Sequence, residues 1–281
     1  MVIRSQGKTI FIGDEHPLVI IGEKINPTGK KKLAHELLSE DFSKVRQYAI
    51  QQAEAGAHLI DVNVGTPGVD EEKILPQAVK VVMKAVDLPI SIDSANPQAL
   101  EAALCIYEGK ALVNSVTGQE KSLNSILPMV KKHRAAVIGM AYDQRGPAVS
   151  PSQRLEVARK ILRKAQELGI SKENVLIDGL ARPVSLEKEA ASFSLQTIAL
   201  LKQKLGINTV LGISNVSFGL PDRNSVNAAF LAMAAAQGLT CAILDPTVME
   251  VKKTVLAANL LSGDDPAAAG WIEYYRAHKA P

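Results

Sequence analysis

Acidic, amide and hydroxyl side chains directly follow most of the short apolar runs of this sequence. The candidates for binding or catalysis are Glu23, Asp61, Asn63, Asp93, Asn114, Asp178, Ser214 and Asn215. Taken singly, each could be a helix N-cap or a turn residue. Gathered in one place, carboxylates and carboxamides would instead bind a planar neutral heterocycle that carries several N–H donors.

Other chemistries lack the residues that they need. A phosphate site would need glycine-rich turns and positive charge, and the segments SNVSFGLPDR and DPTVME are poor in both. Only two cationic residues, Lys24 and Arg223, lie close to the ends of the runs, and Lys24 alone could form a Schiff base. No metal site is predicted, because the histidines are scattered and none follows a run: His16, His35, His58, His133 and His278. Magnesium held by carboxylates alone stays open as an alternative.

The apolar runs themselves have the length and composition of buried strands. They cover residues 18–22, 58–63, 89–93, 110–115, 135–140, 174–178, 208–214 and 241–245. Continuous runs of Val, Ile and Leu are typical of parallel strands that are covered on both faces. Amphipathic stretches of helical length separate them, so the pattern is a repeated βα unit.

Eight βα units over this length predict a closed (β/α)₈ TIM barrel. An open doubly wound sheet is the alternative, but no glycine-rich phosphate turn follows the first strand. The segment before residue 18 predicts a short hairpin that caps the bottom of the barrel. Because TIM-barrel chemistry is located at the carboxyl ends of the strands, the polar candidates would meet at one rim.

Several helix ends are also predicted. Asp41 is placed to cap a helix that closes at Gly56, and Ser150 is placed to cap a helix with Pro151 in its first turn. Two later helices, beginning at SLEKEAASF and at NSVNAAF, would each end at a glycine, Gly206 and Gly238.

Composition restricts the class of protein. The chain has 281 residues, 47% of them apolar, and a formal net charge of +3, so we expect one folded domain over residues 1–281. Neither a signal peptide nor a membrane span is predicted, and the two separated cysteines, Cys105 and Cys241, fit a cytoplasmic protein. The basic run at residues 30–32 has no aromatic neighbour and is interpreted as a solvated helix start rather than a nucleic-acid site. A homodimer is expected; the alanine-rich helices could equally form its face or pack closely on the sheet, and the sequence leaves this open.

Six segments carry a family resemblance: GEKINPTG, IDVNVG, SIDSANP, LVNSVTG, LIDGL and LGISNVSFGLPDRNSVNAAFLAMAAAQGLTCAILDP. Over roughly residues 18 to 260 the chain resembles the pterin-binding methyltransferases, which include methyltetrahydrofolate:corrinoid protein methyltransferases and the folate module of cobalamin-dependent methionine synthase. The resemblance implies transfer of a methyl group between N5 of tetrahydrofolate and the cobalt of a corrinoid. Tetrahydrofolate or 5-methyltetrahydrofolate would be the substrate, and a separate partner protein would carry the corrinoid.

The resemblance also implies roles for individual residues. Asp93 would hold the amino and N3 edge of the pterin, Asn114 and Asp178 would bind the same ring, and Asn215 would reach N5 as the catalytic residue. Arg223 matches a loop arginine near the folate or its partner. The remaining substrate-binding candidates are Glu23, Asp61, Asn63 and Ser214.

Three points are left open by the sequence. No histidine or isolated acid is evident beside Asn215, so the proton that N5 needs would arrive through water or a network bound to the ring. A dihydropteroate synthase-like enzyme is one alternative function. A non-catalytic subunit that only binds folate is the other.

Overall fold

A closed barrel of eight parallel strands forms the centre of the molecule. The computed structural model describes residues 1–277, and His278 lies outside the described residues. Around the barrel the strands follow the order β10-β11-β12-β3-β4-β5-β6-β7. Their bounds are β3 Val19–Ile25, β4 Leu59–Asn63, β5 Ile90–Asp93, β6 Leu112–Thr117, β7 Ala136–Met140, β10 Val175–Asp178, β11 Asn208–Gly212 and β12 Cys241–Leu244. The predicted (β/α)₈ TIM barrel is confirmed.

Helices alternate with the strands and cover the outside of the barrel. Within residues 1–277 they are α1 Lys31–Leu38, α2 Ser43–Glu54, α3 Glu71–Ala85, α4 Pro97–Ile106, α5 Glu120–Lys132, α6 Pro151–Glu167, α7 Ala190–Leu205, α8 Arg223–Ala236, α9 Met249–Ser262 and α10 Ala269–Ala277. No helix in this part of the chain combines the length and the apolar character needed to cross a lipid bilayer.

A short hairpin closes the amino-terminal end of the barrel, as predicted. Its strands β1 (Val2–Arg4) and β2 (Thr9–Phe11) pair antiparallel. The side chains of Ile3 and Ile10 are buried against residues that begin the barrel strands, such as Leu112. Because this end is filled with apolar side chains, the open end of the barrel is the one at the carboxyl ends of the strands.

The predicted helix ends are only partly correct. Ser150 caps α6 by accepting a hydrogen bond from the Gln153 amide, and Gly206 ends α7 in a left-handed conformation with φ of 53°. Helix α2, however, begins at Ser43 with Phe42 at its N-cap, and the Asp41 carboxylate accepts the Ser43 amide at 2.9 Å in the turn before it. Helix α7 begins at Ala190 rather than near residue 185, where the chain is held by a bond to another loop.

A second hairpin lies in the loop after β7 and was not predicted. Its strands β8 (Tyr142–Asp143) and β9 (Gly146–Pro147) have two residues each. They are too short to leave an apolar pattern in the sequence.

Gly22 in β3 makes close packing against α2 possible. A Cβ atom at this position would lie 2.5 Å from Oε1 of Gln52, a buried side chain whose Oε1 accepts the Lys24 amide at 2.8 Å. Gly22→Ala is therefore expected to lower the free energy of unfolding by about 1–3 kcal/mol in urea denaturation. Gly13→Ala is the control, because its Cβ would meet only ordinary contacts at 3.7 Å. Equal stability losses in the two variants would contradict this packing.

Candidate active site

A cavity of about 550 Å³ opens at the carboxyl ends of the barrel strands. That volume suits a small-molecule ligand. Most of the predicted site residues line it: Glu23, Asp61, Asp93, Asn114, Asp178, Ser214, Asn215 and Arg223. Asn63 lies behind the wall of the cavity instead, where its amide donates to the Asp93 carboxylate at 2.9 Å.

One wall of the cavity is acidic, and together with Asn63 behind it we call it the carboxylate flank (Asp61, Asp93 and Asn114 in the wall, and Asn63). The strand register creates it, because Asn63 is level with Asp93 across β4 and β5, and Asp93 is level with Asn114 across β5 and β6. The amide of Asn114 donates to Oδ1 of Asp61 at 3.2 Å. The hydroxyl of Ser91 donates to the same oxygen at 2.6 Å.

Burial raises the pKa values of both carboxyl groups of this flank. Burial raises the pKa of Asp61 well above its usual range, and the neighbouring Asp93 raises it further. Burial also raises the pKa of Asp93 to about 6, while the amide of Asn63 and the hydrogen bond from Asp61 oppose that rise. Near neutral pH, which lies above this value, Asp93 presents an ionised carboxylate to the cavity.

Asp178 provides a third carboxyl group, at the end of β10. Its Oδ1 accepts the amide of Leu180 at 2.8 Å, in a turn where Leu180 has a positive φ of 56°. Behind it, the fully buried Arg154 donates to the Gly179 carbonyl at 2.7 Å. Burial raises the pKa of Asp178 to about 6, and the Leu180 amide and the Arg154 charge limit the rise.

The opposite wall carries the catalytic candidate, and we call it the Asn215 flank (Glu23, Ser214, Asn215 and Arg223). Ser214 and Asn215 lie in a 3₁₀ turn, Ile213–Asn215, that directly follows β11. The Ser214 hydroxyl donates to Oε1 of Glu23, and the Arg223 guanidinium donates to the Ser214 carbonyl at 2.7 Å. The Asn215 amide lies against Gly212, where a Cβ would be only 2.8 Å from Nδ2.

Lys30 is a residue of the cavity that was not predicted from the sequence. Lys31 and Lys32 are exposed at the start of α1, as predicted for the basic run, but Lys30 lines the cavity. Its ammonium donates to the Lys24 carbonyl at 2.9 Å, which joins the end of the loop after β3 to that strand. The Lys24 ammonium lies 3.4 Å from the carboxylate of Asp245.

A side-chain amide on helix α8 is a second cavity residue that was not predicted from the sequence. Asn227 is 7% exposed and lines the cavity, and its Oδ1 has no hydrogen-bond partner among the described residues. A ligand N–H or a water molecule would satisfy this oxygen. Its position on a helix rather than at a strand end left no signal in the sequence.

Three residues of types that can bind a metal ion lie close together, away from this site. Glu101 and Cys105 are one turn apart on α4, and His133 ends α5, with their ligand atoms within 4.8 Å of one another. The Lys132 ammonium already bonds the Glu101 carboxylate. The predicted absence of a metal at the cavity stays a prediction.

Comparison with known proteins identifies the family. The model of the family described as "Pterin binding enzyme" matches residues 22–245, so the chain belongs to the pterin-binding enzymes. The resemblance seen in the sequence is thereby confirmed. The match begins in β3 and ends at Asp245, so it includes all the barrel strands that carry the cavity residues.

Two kinds of relatives are similar over most of the chain. A methylcorrinoid:tetrahydrofolate methyltransferase of Eubacterium limosum is 29% identical over 268 residues, which are 93% of this chain and 97% of that protein. Methionine synthase of Mycobacterium leprae is 31% identical over 243 residues, or 81% of this chain and 20% of that protein. The chain thus spans about a fifth of the length of the methionine synthase.

Solved structures share the fold. Xanthomonas albilineans dihydropteroate synthase with 4-aminobenzoic acid has a TM-score of 0.69 at 19% identity, covering 95% of this chain and 99% of that one. Yersinia pestis dihydropteroate synthase has a TM-score of 0.66 at 16% identity, covering 94% and 99% of the two chains. At these identities the likeness establishes the barrel fold alone.

Proposed function

We propose that this protein transfers a methyl group between N5 of tetrahydrofolate and the cobalt of a corrinoid carried by a separate protein. The observation that carries the proposal is that two chemically different walls face each other across one cavity. The carboxylate flank suits the N–H edge of a pterin, and the Asn215 flank places a carboxamide across the cavity from it. Similarity to a methylcorrinoid:tetrahydrofolate methyltransferase along 97% of that relative supports the choice of reaction.

The acidic residues would bind the pterin ring of the folate. Carboxylates accept hydrogen bonds without donating any, so Asp93 and Asp178 suit the adjacent amino and ring N–H donors of the ring. Asn114 can both donate and accept, which suits the remaining ring nitrogens. Because these groups are already held by Asn63 and by the Leu180 amide, little ordering is needed when the ligand binds.

Asn215 would act on the nitrogen that carries the methyl group. A neutral tertiary amine is a poor leaving group, so N5 needs a proton or a strengthened hydrogen bond in the transition state. The Asn215 carboxamide can provide that hydrogen bond from a position fixed by Gly212 and by the turn after β11. Arg223 holds this turn through the Ser214 carbonyl.

The corrinoid would approach from outside the barrel. It supplies a cobalt that accepts or donates the methyl group. At the mouth of the cavity the side chain of Phe218 is 61% exposed and lies 5.9 Å from the Arg223 guanidinium. An apolar ring beside a cation at the edge of the cavity suits contact with a partner protein. A homodimer, a cytoplasmic location and a single domain over residues 1–281 stay predictions.

Folate affinity is expected to fall as the pH is lowered through the pKa of the binding carboxylates. Asp93 and Asp178 both have pKa values raised to about 6, and protonation removes the acceptor that the ring N–H groups need. Between about pH 7.5 and about pH 5.5 the Kd should rise roughly 4-fold if one of these carboxylates must be ionised and roughly 16-fold if both must be, measured by isothermal titration calorimetry with tetrahydrofolate under anaerobic conditions. A Kd that stays constant over this range would contradict these contacts.

The proposed activity is tested by incubating the purified protein anaerobically with methylcobalamin and tetrahydrofolate. Loss of the methylcobalamin spectrum together with formation of 5-methyltetrahydrofolate is the expected result. Tight folate binding with no transfer in either direction would instead identify a non-catalytic folate-binding subunit. Condensation of p-aminobenzoate with a dihydropterin pyrophosphate would identify a dihydropteroate synthase.

A further inference from the structure

Glu23 lies on the Asn215 flank, and the proposed methyl transfer so far assigns no role to its carboxyl group. We propose that Glu23 is the acid that gives a proton to N5 of the folate when the methyl group leaves, and recovers it in the reverse reaction. This assignment rests on the proposed methyl transfer. It replaces the expectation that the proton arrives only through water or a ring-bound network.

Geometry places Glu23 on the correct side of the cavity. Its strand, β3, is separated from β11 by β12 alone, and its side chain extends across β12 to the hydroxyl of Ser214. Ser214 is the neighbour of Asn215, and both Glu23 and Asn215 line the cavity. Asp93 is on β5, which is four strands from β11 in either direction around the barrel. An acid that serves a nitrogen near Asn215 is therefore better placed at Glu23 than at Asp93.

The other cavity carboxyl groups are engaged elsewhere. Asp61 and Asp93 hold one another together with Ser91 and the two amides of their flank. Asp178 accepts the Leu180 amide, and Asp245 accepts the Thr247 amide at 2.9 Å and faces the Lys24 ammonium. Glu23 receives a hydrogen bond from Ser214 on one oxygen, Oε1, and among residues 1–277 no hydrogen bond to Oε2 is found, which leaves Oε2 for a ligand.

The surroundings of Glu23 suit a group that gains and loses a proton. Burial raises the pKa of Glu23, and the negative charge of Asp245 raises it further. The Ser214 hydrogen bond and the positive charges of Lys30 and Arg223 act in the opposite direction. Glu23 thus holds a proton to higher pH than an exposed glutamate does, while the two cations stabilise the carboxylate that remains after transfer.

The proton transfer and the methyl transfer need no reagent beyond the folate, the partner corrinoid and a proton from solvent. The proton of the Glu23 carboxyl passes to the lone pair of N5 and makes N5 a positively charged leaving group. The N5–methyl bond then breaks with its electron pair staying on N5. The cobalt(I) of the partner corrinoid supplies the pair that forms the new bond to the methyl group. Tetrahydrofolate is left with a neutral secondary amine, and the Glu23 carboxylate regains a proton from solvent.

The test uses Glu23→Gln, which keeps the shape of the side chain and an acceptor for Ser214. With 5-methyltetrahydrofolate and cob(I)alamin, we expect the transfer rate to fall about 10²-fold, as for loss of a general acid, with little change in folate Kd. With a folate analogue that carries two methyl groups on N5, no proton is needed. This substrate should therefore react at the same rate in the variant and in the natural protein.

Two further readouts separate acid catalysis from a structural role. The rate of the natural protein should decline as pH rises through the pKa of Glu23, and this decline should be lost in Glu23→Gln. Glu23→Asp, which retains a carboxyl group, should recover part of the rate. An unchanged rate in Glu23→Gln, or an equal loss with both folates, would overturn the assignment alone. Absence of transfer by the natural protein would overturn the proposed function together with it.

Discussion

Asn215→Ala is expected to lower the methyl-transfer rate about 10²-fold to 10³-fold while changing the folate Kd only slightly. Loss of one preorganised hydrogen-bonding group at a site of developing charge has an effect of this size. The carboxamide is held in place before substrate binds, because it lies against Gly212 and its turn is bonded to Arg223. Removal should therefore affect the transition state much more than the bound substrate.

Measurement of the single-turnover rate and of folate binding in separate experiments checks this expectation. Asn208→Ala is the matched control, because Asn208 lies at the opposite end of the same strand and donates to the Ile12 carbonyl at 3.3 Å. It should transfer methyl groups at the natural rate. If Asn215→Ala also did so, Asn215 would have no catalytic role.

Asp178→Asn is expected to weaken folate binding by about 1.5–3 kcal/mol, which is roughly 10-fold to 150-fold in Kd. The amide can still accept the Leu180 N–H through its oxygen, so the loop after β10 keeps its conformation. Its NH₂ group, however, would face the N–H donors of the pterin edge in place of an acceptor. Part of the pH dependence of folate binding should disappear in the same variant, because one titrating carboxylate is gone.

Isothermal titration calorimetry with tetrahydrofolate measures this loss directly. Asp222→Asn removes the same charge from an exposed position at the rim and serves as the control. Its backbone has a positive φ of 44°, which asparagine accommodates well. Equal affinities for Asp178→Asn and Asp222→Asn would show that Asp178 does not contact the pterin.

The barrel could be predicted from the sequence because its strands are buried on both faces. Each strand therefore leaves a continuous apolar run, as in residues 174–178 and β10 Val175–Asp178. Helix starts were less predictable, because they depend on contacts between distant loops. Helix α7 begins at Ala190 after a segment in which the Ser185 hydroxyl bonds the Phe218 carbonyl at 2.7 Å. Nothing near Ser185 in the sequence reports that contact.

The candidate site was predictable as a set of residues but not as a network. Carboxyl ends of parallel strands converge, so polar residues placed there meet whatever the details of packing. Which of these polar side chains hydrogen-bond to one another, however, depends on strand register and loop conformation. Asn63 faces Asp93 instead of the cavity, Glu23 extends to Ser214, and Lys30 bonds back to the carbonyl of Lys24 in β3. The raised pKa values follow from these same contacts and from burial, so they too required the structure.

The central claim is that the cavity holds a reduced folate with its methyl-bearing nitrogen at Asn215. A crystal structure of the protein with 5-methyltetrahydrofolate tests it most directly. We predict that the amino edge of the pterin contacts the carboxylates of Asp93 and Asp178. N5 should lie within hydrogen-bond distance of the Asn215 carboxamide, with its methyl group directed toward the mouth of the cavity. A pterin bound elsewhere, or one with N5 directed toward the barrel floor, would contradict the proposed chemistry.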